Sequence, residues 1–310
     1  MGLGRRRRES RARIRIRARA KAATMATMAT MATMATQQQL ERLKAVFFGK
    51  WRRTNSVTSE HRTLTGYNEQ LERLDMDDTL VLTSECDKFA YVDVRQLAKE
   101  LLPQVVEESL ISAFRRGMAS TPWDKEHKIH VDEWRAGLWN NALTEQDIPS
   151  NMEVARQLQA KYRTVRLDHF KFLSGSEDMI KRMKAKGLEV VIITNGHHEV
   201  QRQKLVACDA EELFGANIIV GGEEVLKGEQ EKPHPSIFQK ACALAKCTCG
   251  EAIHVGDSLK TDIQGGINAK LAGTIWINAS KKELPSGAPA PTFIVEKVTE
   301  VEKIIESFSQ

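Results

Sequence analysis

In the second half of the chain, short apolar runs alternate with segments of helical periodicity, and no other feature constrains the fold as strongly. Strands are predicted at 188–194, 217–220, 252–255, 274–277 and 293–295, and helices at 176–186, 200–208, 236–245, 261–271 and 298–307. This alternation predicts an α/β fold with a Rossmann-like, doubly wound parallel sheet. In such a fold the functional site lies at the carboxyl ends of the strands.

The first half of the chain predicts a helical domain inserted into the sheet-forming sequence. An apolar strand signal at 45–48 stands far ahead of the others, whereas apolar residues recur at three- and four-residue steps between 84 and 168. We therefore expect a disordered tail at 1–39, the first core strand and an aspartate-rich motif at 40–83 with an insert at 49–74, a helical domain at 84–168, and the remaining core at 169–310.

The basic charge belongs to the amino-terminal tail. The formal net charge is +5, but residues 1–36 hold ten Arg and Lys against the single acid Glu9, which leaves −4 for the rest. The tail runs into Ala-Thr-Met triplets and has little apolar surface to bury, so disorder is expected. Its charge therefore gives no reason to expect a nucleic-acid partner. Arg-rich, acid-poor starts are also typical of mitochondrial presequences, so a mitochondrial location stays open beside the favoured cytoplasmic one.

The five cysteines indicate reduced thiols, because their number is odd and the domain is large. Cys247 and Cys249 are spaced like half of a metal site, yet no second ligand pair lies near them in the sequence. Incidental thiols in a loop are the preferred interpretation.

Asp75 and Asp77 are the candidate nucleophile and general acid–base. Side chains alternate along an extended segment, so these two carboxylates share a side while Asp78 points away. A carboxylate is ionised near neutral pH and can attack phosphorus without a base, provided that a divalent cation offsets the repulsion. Asp77 can then protonate the leaving alcohol and activate water. Capping or turn acids remain the alternative interpretation.

A phosphate cradle and a balancing charge are predicted further along the chain. Thr194, Asn195 and Gly196 follow a run of apolar residues, and a hydroxyl with backbone amides at a helix start can bind an anion. The alternative there is an N-cap followed by a turn glycine. Lys232, between Glu231 and a proline, is the candidate cation for the nucleophile and the transferring phosphoryl group.

Asp257 is the candidate metal ligand at the end of the predicted strand 252–255. Mg²⁺ prefers oxygen ligands, and Asp75, Asp77 and Asp257 would supply them. Asp262 and Ser258 are expected to support this site, with Asp262 orienting the outer shell of the metal. The glycine pair at 265–266 predicts tight packing of its helix, because each helical glycine costs about 1 kcal/mol relative to Ala.

Together these motifs resemble the haloacid dehalogenase-type phosphatase superfamily, over 75–310 and 44–48. The resemblance implies a Rossmann-like core, Mg²⁺, and the roles proposed above for the aspartates, Thr194 and Lys232. It also implies that 84–168 is a cap that closes over the substrate. The second acid, Asp77, argues for a phosphatase, since the dehalogenases of the superfamily lack it.

Longer motifs are similar to the phosphatases of that superfamily that act on N-acylneuraminate 9-phosphate. They include Thr-Asn-Gly at 194–196, Glu-Lys-Pro at 231–233 and Gly-Asp-Ser-Leu at 256–259. His197 and His198 depart from the Asp-Arg expected after that glycine. We interpret them as a surface helix start, with contacts to the substrate as the alternative. Core residues fix the reaction, whereas cap loops choose the substrate.

The insert is the part of the sequence that does not fit. In the superfamily an apolar strand runs directly into the nucleophile, but here 26 residues, 49–74, separate Phe48 from Asp75. The insert can loop out, at a closure cost of roughly 3 kcal/mol. It can instead displace Asp75 and impair catalysis. A third interpretation is an unnatural segment, such as a retained intron whose donor site encodes Gly49-Lys50.

The sequence therefore predicts a Mg²⁺-dependent phosphomonoesterase for a small phosphorylated metabolite, with N-acylneuraminate 9-phosphate as the named candidate. Another sugar phosphate or a nucleotide is the alternative substrate, and a catalytically impaired binding protein is the alternative function. No apolar run approaches the ~20 residues that cross a membrane, so no membrane partner is expected. The oligomeric state stays open.

Overall fold

The structure is a computed structural model that describes residues 45–50, 79–81, 83–121 and 128–307, with side chains except at 45–50 and 307. The predicted tail at 1–39, most of the insert, and both Asp75 and Asp77 lie outside these residues. No helix in the described ranges combines the length and the apolar character needed to traverse a lipid bilayer.

Six parallel strands form one sheet in the order β3-β2-β1-β4-β5-β6. The strands are β1 (Ala45–Lys50), β2 (Glu189–Thr194), β3 (Ile218–Val220), β4 (Ala252–Gly256), β5 (Gly273–Ile277) and β6 (Phe293–Val295). Every residue of β4 and β5 is buried, as expected for parallel strands covered on both faces. The predicted fold class is confirmed, and β6 has its predicted bounds.

β1 is a central strand and is longer than predicted. The apolar run suggested an end at Phe48, but the strand continues to Lys50. Pairing with β4 stops at Phe48, which lies opposite Val255, whereas pairing with β2 continues and places Gly49 beside Ile193 and Lys50 beside Thr194. The first two residues of the predicted insert therefore belong to the sheet, because β2 still offers backbone partners there.

Eleven helices surround the sheet or form a separate layer in the described ranges. They are α1 (Thr83–Leu101), α2 (Glu107–Ser120), α3 (Val131–Thr144), α4 (Met152–Asp168), α5 (Ser176–Ala185), α6 (His198–Ala207), α7 (Ala210–Phe214), α8 (Gly221–Leu226), α9 (Pro235–Leu244), α10 (Gln264–Asn268) and α11 (Val301–Ser307). The short helices α7 and α8 were not predicted, since five or six residues carry too little periodicity.

Alternating side chains of β2 belong to two separate hydrophobic clusters, one on each face of the sheet. Val190 and Ile192 pack with α5, α7 and α11, whereas Val191 and Ile193 pack with α9. Because successive side chains of a strand point to opposite faces, this division shows that helices cover both sides.

α1 to α4 form a helical unit with a core of its own. Its buried cluster runs from Ala90 to Val165 and includes Phe114 and Trp139, whose rings stack 3.5 Å apart. Asn151 caps α4 by accepting a hydrogen bond from the backbone N–H of Val154, which fixes where that helix begins.

The helix predicted at 261–271 is shorter and irregular. A π-turn at Leu259–Ile263 leads into α10, which ends at Asn268. The tight packing predicted for the two glycines is confirmed. A Cβ on Gly265 would lie 2.5 Å from the Phe238 ring, and one on Gly266 would lie 2.5 Å from Thr274 Cγ2.

Candidate active site

The predicted site residues in the described ranges gather at the carboxyl edge of the sheet. Thr194 ends β2, Asp257 follows β4, and the end of β1 lies between them. Thr194 is buried, and its hydroxyl has no hydrogen-bond partner among the described residues. A buried hydroxyl without a partner costs free energy unless a ligand engages it. Thr194 is therefore suited to bind an oxyanion.

Asn195 holds the loop after β2 against the segment that carries Lys232. Its side-chain amide donates to the Lys232 carbonyl at 2.7 Å, and its Oδ1 accepts from the Lys232 backbone N–H at 3.1 Å. Gln201 donates to the Asn195 carbonyl at 2.9 Å. The amide of Asn195 thus bonds to the chain itself, which positions the cradle formed by Thr194 and Gly196.

Gly196 has a positive φ of 109°, and Gly222 packs directly against it. A Cβ on Gly222 would lie 2.2 Å from the Gly196 carbonyl oxygen. Only glycine at 222 leaves room for this close approach, which fixes the backbone of the predicted phosphate cradle at Gly196.

Lys232 is fully buried, in contrast to most lysines. Its Nζ donates to the Ile193 carbonyl at 2.9 Å and to Asp262 Oδ1 at 2.7 Å. Ile193 immediately precedes Thr194, so these contacts bring the ammonium to the end of β2. The peptide bond between Lys232 and Pro233 is cis.

Asp262 anchors this lysine and is itself held by two further donors. His254 Nε2 donates to Oδ1 at 2.8 Å, and the Ser258 backbone N–H donates to Oδ2 at 3.1 Å. Burial acts to raise the pKa of Asp262, but Lys232 and His254 outweigh it and lower that pKa to about 2.

Burial lowers the pKa of Lys232, and the opposing charge of Asp262 offsets this only in part. Asp262 has three donors to stabilise its charge, and the charge of Lys232 is favoured by Asp262 and, more weakly, by Asp257 and Glu231. We therefore treat the pair as ionised at neutral pH.

His254 was not identified from the sequence. It lies fully buried in β4, and its ring packs edge-on against Phe238 with centroids 4.9 Å apart. The available signal was a single imidazole inside an otherwise apolar strand. A buried polar side chain needs a partner, and Asp262 is that partner.

Asp257 is the one predicted metal ligand that lies within the described ranges. It is half-buried beyond β4, and its backbone carbonyl accepts a hydrogen bond from Trp276 Nε1 at 2.8 Å. Its carboxylate offers the hard oxygen donors that Mg²⁺ prefers, so the residues present fit this cation. No group of three metal-ligating side chains converges within the described ranges. The other two predicted ligands lie outside those ranges.

The residues at 79–81, just after the aspartate-rich motif, pack against the rest of the core. Thr79 is buried, the Leu80 carbonyl accepts from the Leu173 N–H at 2.7 Å, and Val81 bridges to Phe172. These contacts tie the segment after Asp77 to the residues that precede α5.

The expectation that His197 and His198 form a surface helix start was wrong for His197, which is buried at the start of α6. Their rings lie 4.6 Å apart. The next residue, Glu199, lies 3.5 Å from His130 Nε2 at the start of α3. The first turn of α6 thus touches the helical unit.

Comparison with known protein families assigns this chain to one of them. The profile described as haloacid dehalogenase-like hydrolase matches residues 74–270. That span is more than half of the sequence, so the chain belongs to the haloacid dehalogenase-like hydrolase family. The match begins one residue before Asp75 and therefore excludes β1 and all of the insert except its last residue, Leu74.

Individual relatives share most of their length with this chain. N-acylneuraminate-9-phosphatase of Mus musculus is 30% identical over 234 residues, which are 75% of this chain and 92% of the mouse protein. Glyceraldehyde 3-phosphate phosphatase of Pyrococcus abyssi (strain GE5 / Orsay) is 26% identical over 235 residues, again 75% and 92% of the two chains.

A solved structure supports the same fold. The HAD-hydrolase YfnB from Bacillus subtilis, solved bound to magnesium, matches with a TM-score of 0.55 and 20% identity. The match covers 85% of this chain and 99% of YfnB. At that identity, the likeness shows the fold alone.

Proposed function

We propose that this chain hydrolyses the phosphomonoester of a small metabolite through an aspartyl-phosphate on Asp75. The observation that carries the proposal is the group at the end of β2: a buried Thr194 hydroxyl without a described partner, beside the buried Lys232 ammonium. A hydroxyl and a cation at one strand end are what a phosphoryl group needs from its binding site. Membership of the hydrolase family supports the proposal.

In this mechanism Asp75 attacks phosphorus while Asp77 protonates the leaving alcohol oxygen, and Asp77 then deprotonates the water that hydrolyses the intermediate. Thr194 donates its hydroxyl to a phosphoryl oxygen. Two of the three N–H bonds of the Lys232 ammonium go to Ile193 and Asp262, which leaves one for the phosphoryl group or for Asp75. Mg²⁺, held by Asp75, Asp77 and Asp257, would reduce the repulsion between nucleophile and phosphate.

N-acylneuraminate 9-phosphate is the substrate we propose first, because the mouse relative that acts on it shares 92% of its length with this chain. Another sugar phosphate is the alternative, since the glyceraldehyde 3-phosphate phosphatase covers as much of the sequence. The helical unit is proposed as the cap, because His130, which caps α3, contacts Glu199 in the first turn of α6, close to the end of β2. The compartment proposed is the cytoplasm.

A panel of phosphate esters, assayed with Mg²⁺ on the purified chain and on a variant that lacks 49–74, tests this function. We expect release of inorganic phosphate, with the highest kcat/KM for the preferred sugar phosphate. Asp75→Asn in the more active background should reduce turnover to the buffer rate, whereas the exposed control Asp178→Asn should not. No turnover of any ester by either folded chain would contradict the proposal, as would activity retained in Asp75→Asn.

A second candidate function is that of an impaired, non-catalytic binding protein. The observation in its favour is that Gly49 and Lys50 occupy the strand positions beside Ile193 and Thr194. Those positions at the end of β1 are where a nucleophile is needed, and Asp75 follows 25 residues after Lys50. Binding of phosphate esters without turnover in the full chain, together with turnover in the shortened chain, would support this function for the full-length form.

A further inference from the structure

Three of the five cysteines meet at a place remote from the candidate active site. Cys242 lies near the end of α9, and its thiol is 3.4 Å from that of Cys249. Cys249 begins a short 3₁₀ turn, Cys249–Glu251, that leads into the amino end of β4. The thiol of Cys247 also lies within hydrogen-bonding reach of Cys242. The candidate active site is at the other end of β4.

The backbone holds this cysteine cluster (Cys242, Cys247 and Cys249) in place. The Cys247 N–H donates to the Cys242 carbonyl at 3.0 Å, and the Cys249 carbonyl accepts from the Ala272 N–H at 3.1 Å. A disulfide requires a sulfur–sulfur distance of about 2.05 Å, so Cys242 and Cys249 need to approach by roughly 1.4 Å. Rotation of the two side chains has to close this gap.

The three thiols differ in their access to solvent. Cys242 is buried, whereas Cys247 and Cys249 are partly exposed. Burial and the neighbouring thiols raise the pKa of Cys242 far above its usual range, so this thiol stays protonated. Of the two sulfurs in contact, only that of Cys249 reaches solvent, so a small oxidant would meet this sulfur first.

We propose that Cys242 and Cys249 form a redox site, in which a hydroperoxide converts the two thiols into a reversible disulfide.

The proposed steps use hydrogen peroxide as the oxidant. The Cys249 thiolate attacks one peroxide oxygen, the O–O bond breaks, and hydroxide leaves. The hydroxide takes up the proton that the Cys249 thiol had released, so the products are a sulfenic acid on Cys249 and water. The Cys242 sulfur then attacks the sulfenic sulfur, the S–O bond breaks, and its oxygen leaves as a second water with the thiol proton. Peroxide gains two electrons and the two thiols lose them. A dithiol reductant reverses the oxidation by thiol–disulfide exchange.

The test starts from the full chain in its reduced form. After treatment with a small excess of hydrogen peroxide and alkylation of the remaining thiols, the number of free thiols should fall from five to three. Peptide mass spectrometry without reduction should recover one cross-link between Cys242 and Cys249, and dithiothreitol should restore five thiols. Five thiols remaining, over-oxidation of Cys249 without a cross-link, or a cross-link of another pair would each overturn the proposal.

Variants separate the steps. Cys242→Ser should leave a sulfenic acid on Cys249 that dimedone traps. Cys242→Ala should give the same result, and it replaces Cys242→Ser if the buried serine hydroxyl disturbs folding. Cys249→Ser should lose both the disulfide and the dimedone adduct. Cys247→Ser and the distant control Cys208→Ser should keep the disulfide. Loss of the cross-link in Cys208→Ser, or its persistence in Cys249→Ser, would contradict the assignment.

Discussion

At the scale of single residues, the candidate site depends on two opposite charges that are both withdrawn from water. The side chains of Lys232 and Asp262 have no exposed area, and His254 shares the same carboxylate. Such a pair adds little net stability when intact, because desolvation offsets the attraction. Removal of one partner is costly, since it leaves the other charge buried alone. The pair therefore fixes the position of the Lys232 ammonium more than it stabilises the fold.

Lys232→Met should lower the free energy of unfolding by about 3–5 kcal/mol, because Asp262 would lose its charged partner. Urea denaturation measures this loss. The double variant Lys232→Met/Asp262→Asn should lose less than the sum of the two single variants, since neither charge is then left alone. Additive losses would show that the two side chains do not act as a pair.

The low pKa of Asp262 predicts a specific loss of stability in acid. Its folded pKa of about 2 lies below the ordinary 3.8, so the ionised carboxylate stabilises the fold above about pH 4. That contribution, about 2 kcal/mol, should disappear as the pH falls towards 2. In urea titrations the stability gap between the wild type and Asp262→Asn should narrow over this range. A constant gap would contradict the prediction.

At the scale of secondary-structure elements, β1 decides whether the predicted nucleophile can reach the site. The strand lies between β2 and β4, and its end is flanked by Thr194. The two residues that end it are Gly49 and Lys50 in place of a carboxylate. Joining Phe48 directly to Asp75 would put Asp75 in the position of Gly49, beside Ile193.

Deletion of 49–74 should therefore raise phosphatase kcat/KM by about 100-fold or more, because a nucleophile displaced by even ~1 Å loses about that factor. Steady-state kinetics on both chains measures the change. As a matched control, residues 51–74 are replaced by a Gly-Ser linker of equal length, and activity should stay low since the spacing is unchanged. Equal kcat/KM in the full and shortened chains would refute the effect of the insert.

At the scale of the whole molecule, the described residues form two units that are packed separately, the helical unit and the sheet with its covering helices. The buried cluster of the helical unit draws only on residues from Ala90 to Val165, while the clusters on the sheet draw on residues outside that span. Two cores with few shared residues predict two cooperative units. This arrangement suits the proposed cap, which has to move as a body relative to the sheet.

A fragment covering 83–169 should therefore fold alone. We expect a helical circular-dichroism spectrum and a cooperative thermal transition. Trp139→Ala should abolish or strongly weaken that transition, because it removes about 3–5 kcal/mol of buried packing. The exposed control Val92→Ala should leave it nearly unchanged. A fragment without cooperative unfolding would show that the helical unit depends on the sheet.

Local sequence determined the sheet, because the strands are apolar runs whose neighbours in the chain are amphipathic helices. It also located Thr194 and Asp257, since each follows an apolar run directly and strand ends converge in a parallel sheet. The glycine pair at 265–266 was informative for a similar reason, because two glycines in a helix imply a close neighbour. The family resemblance came from the same motifs.

Only the tertiary structure showed which side chains of the site are hydrogen-bonded to one another. Lys232 and Asp262 are 30 residues apart, and their burial follows from the packing of α9 and α10 against β4 rather than from any local pattern. His254 resembled an ordinary strand residue in the sequence, and only its hydrogen bond to Asp262 shows that it belongs to the site. The length of β1 was set by the backbone groups that β2 offers to it. Burial and pairing depend on neighbours distant in sequence, and a periodic pattern records only which face of an element is apolar.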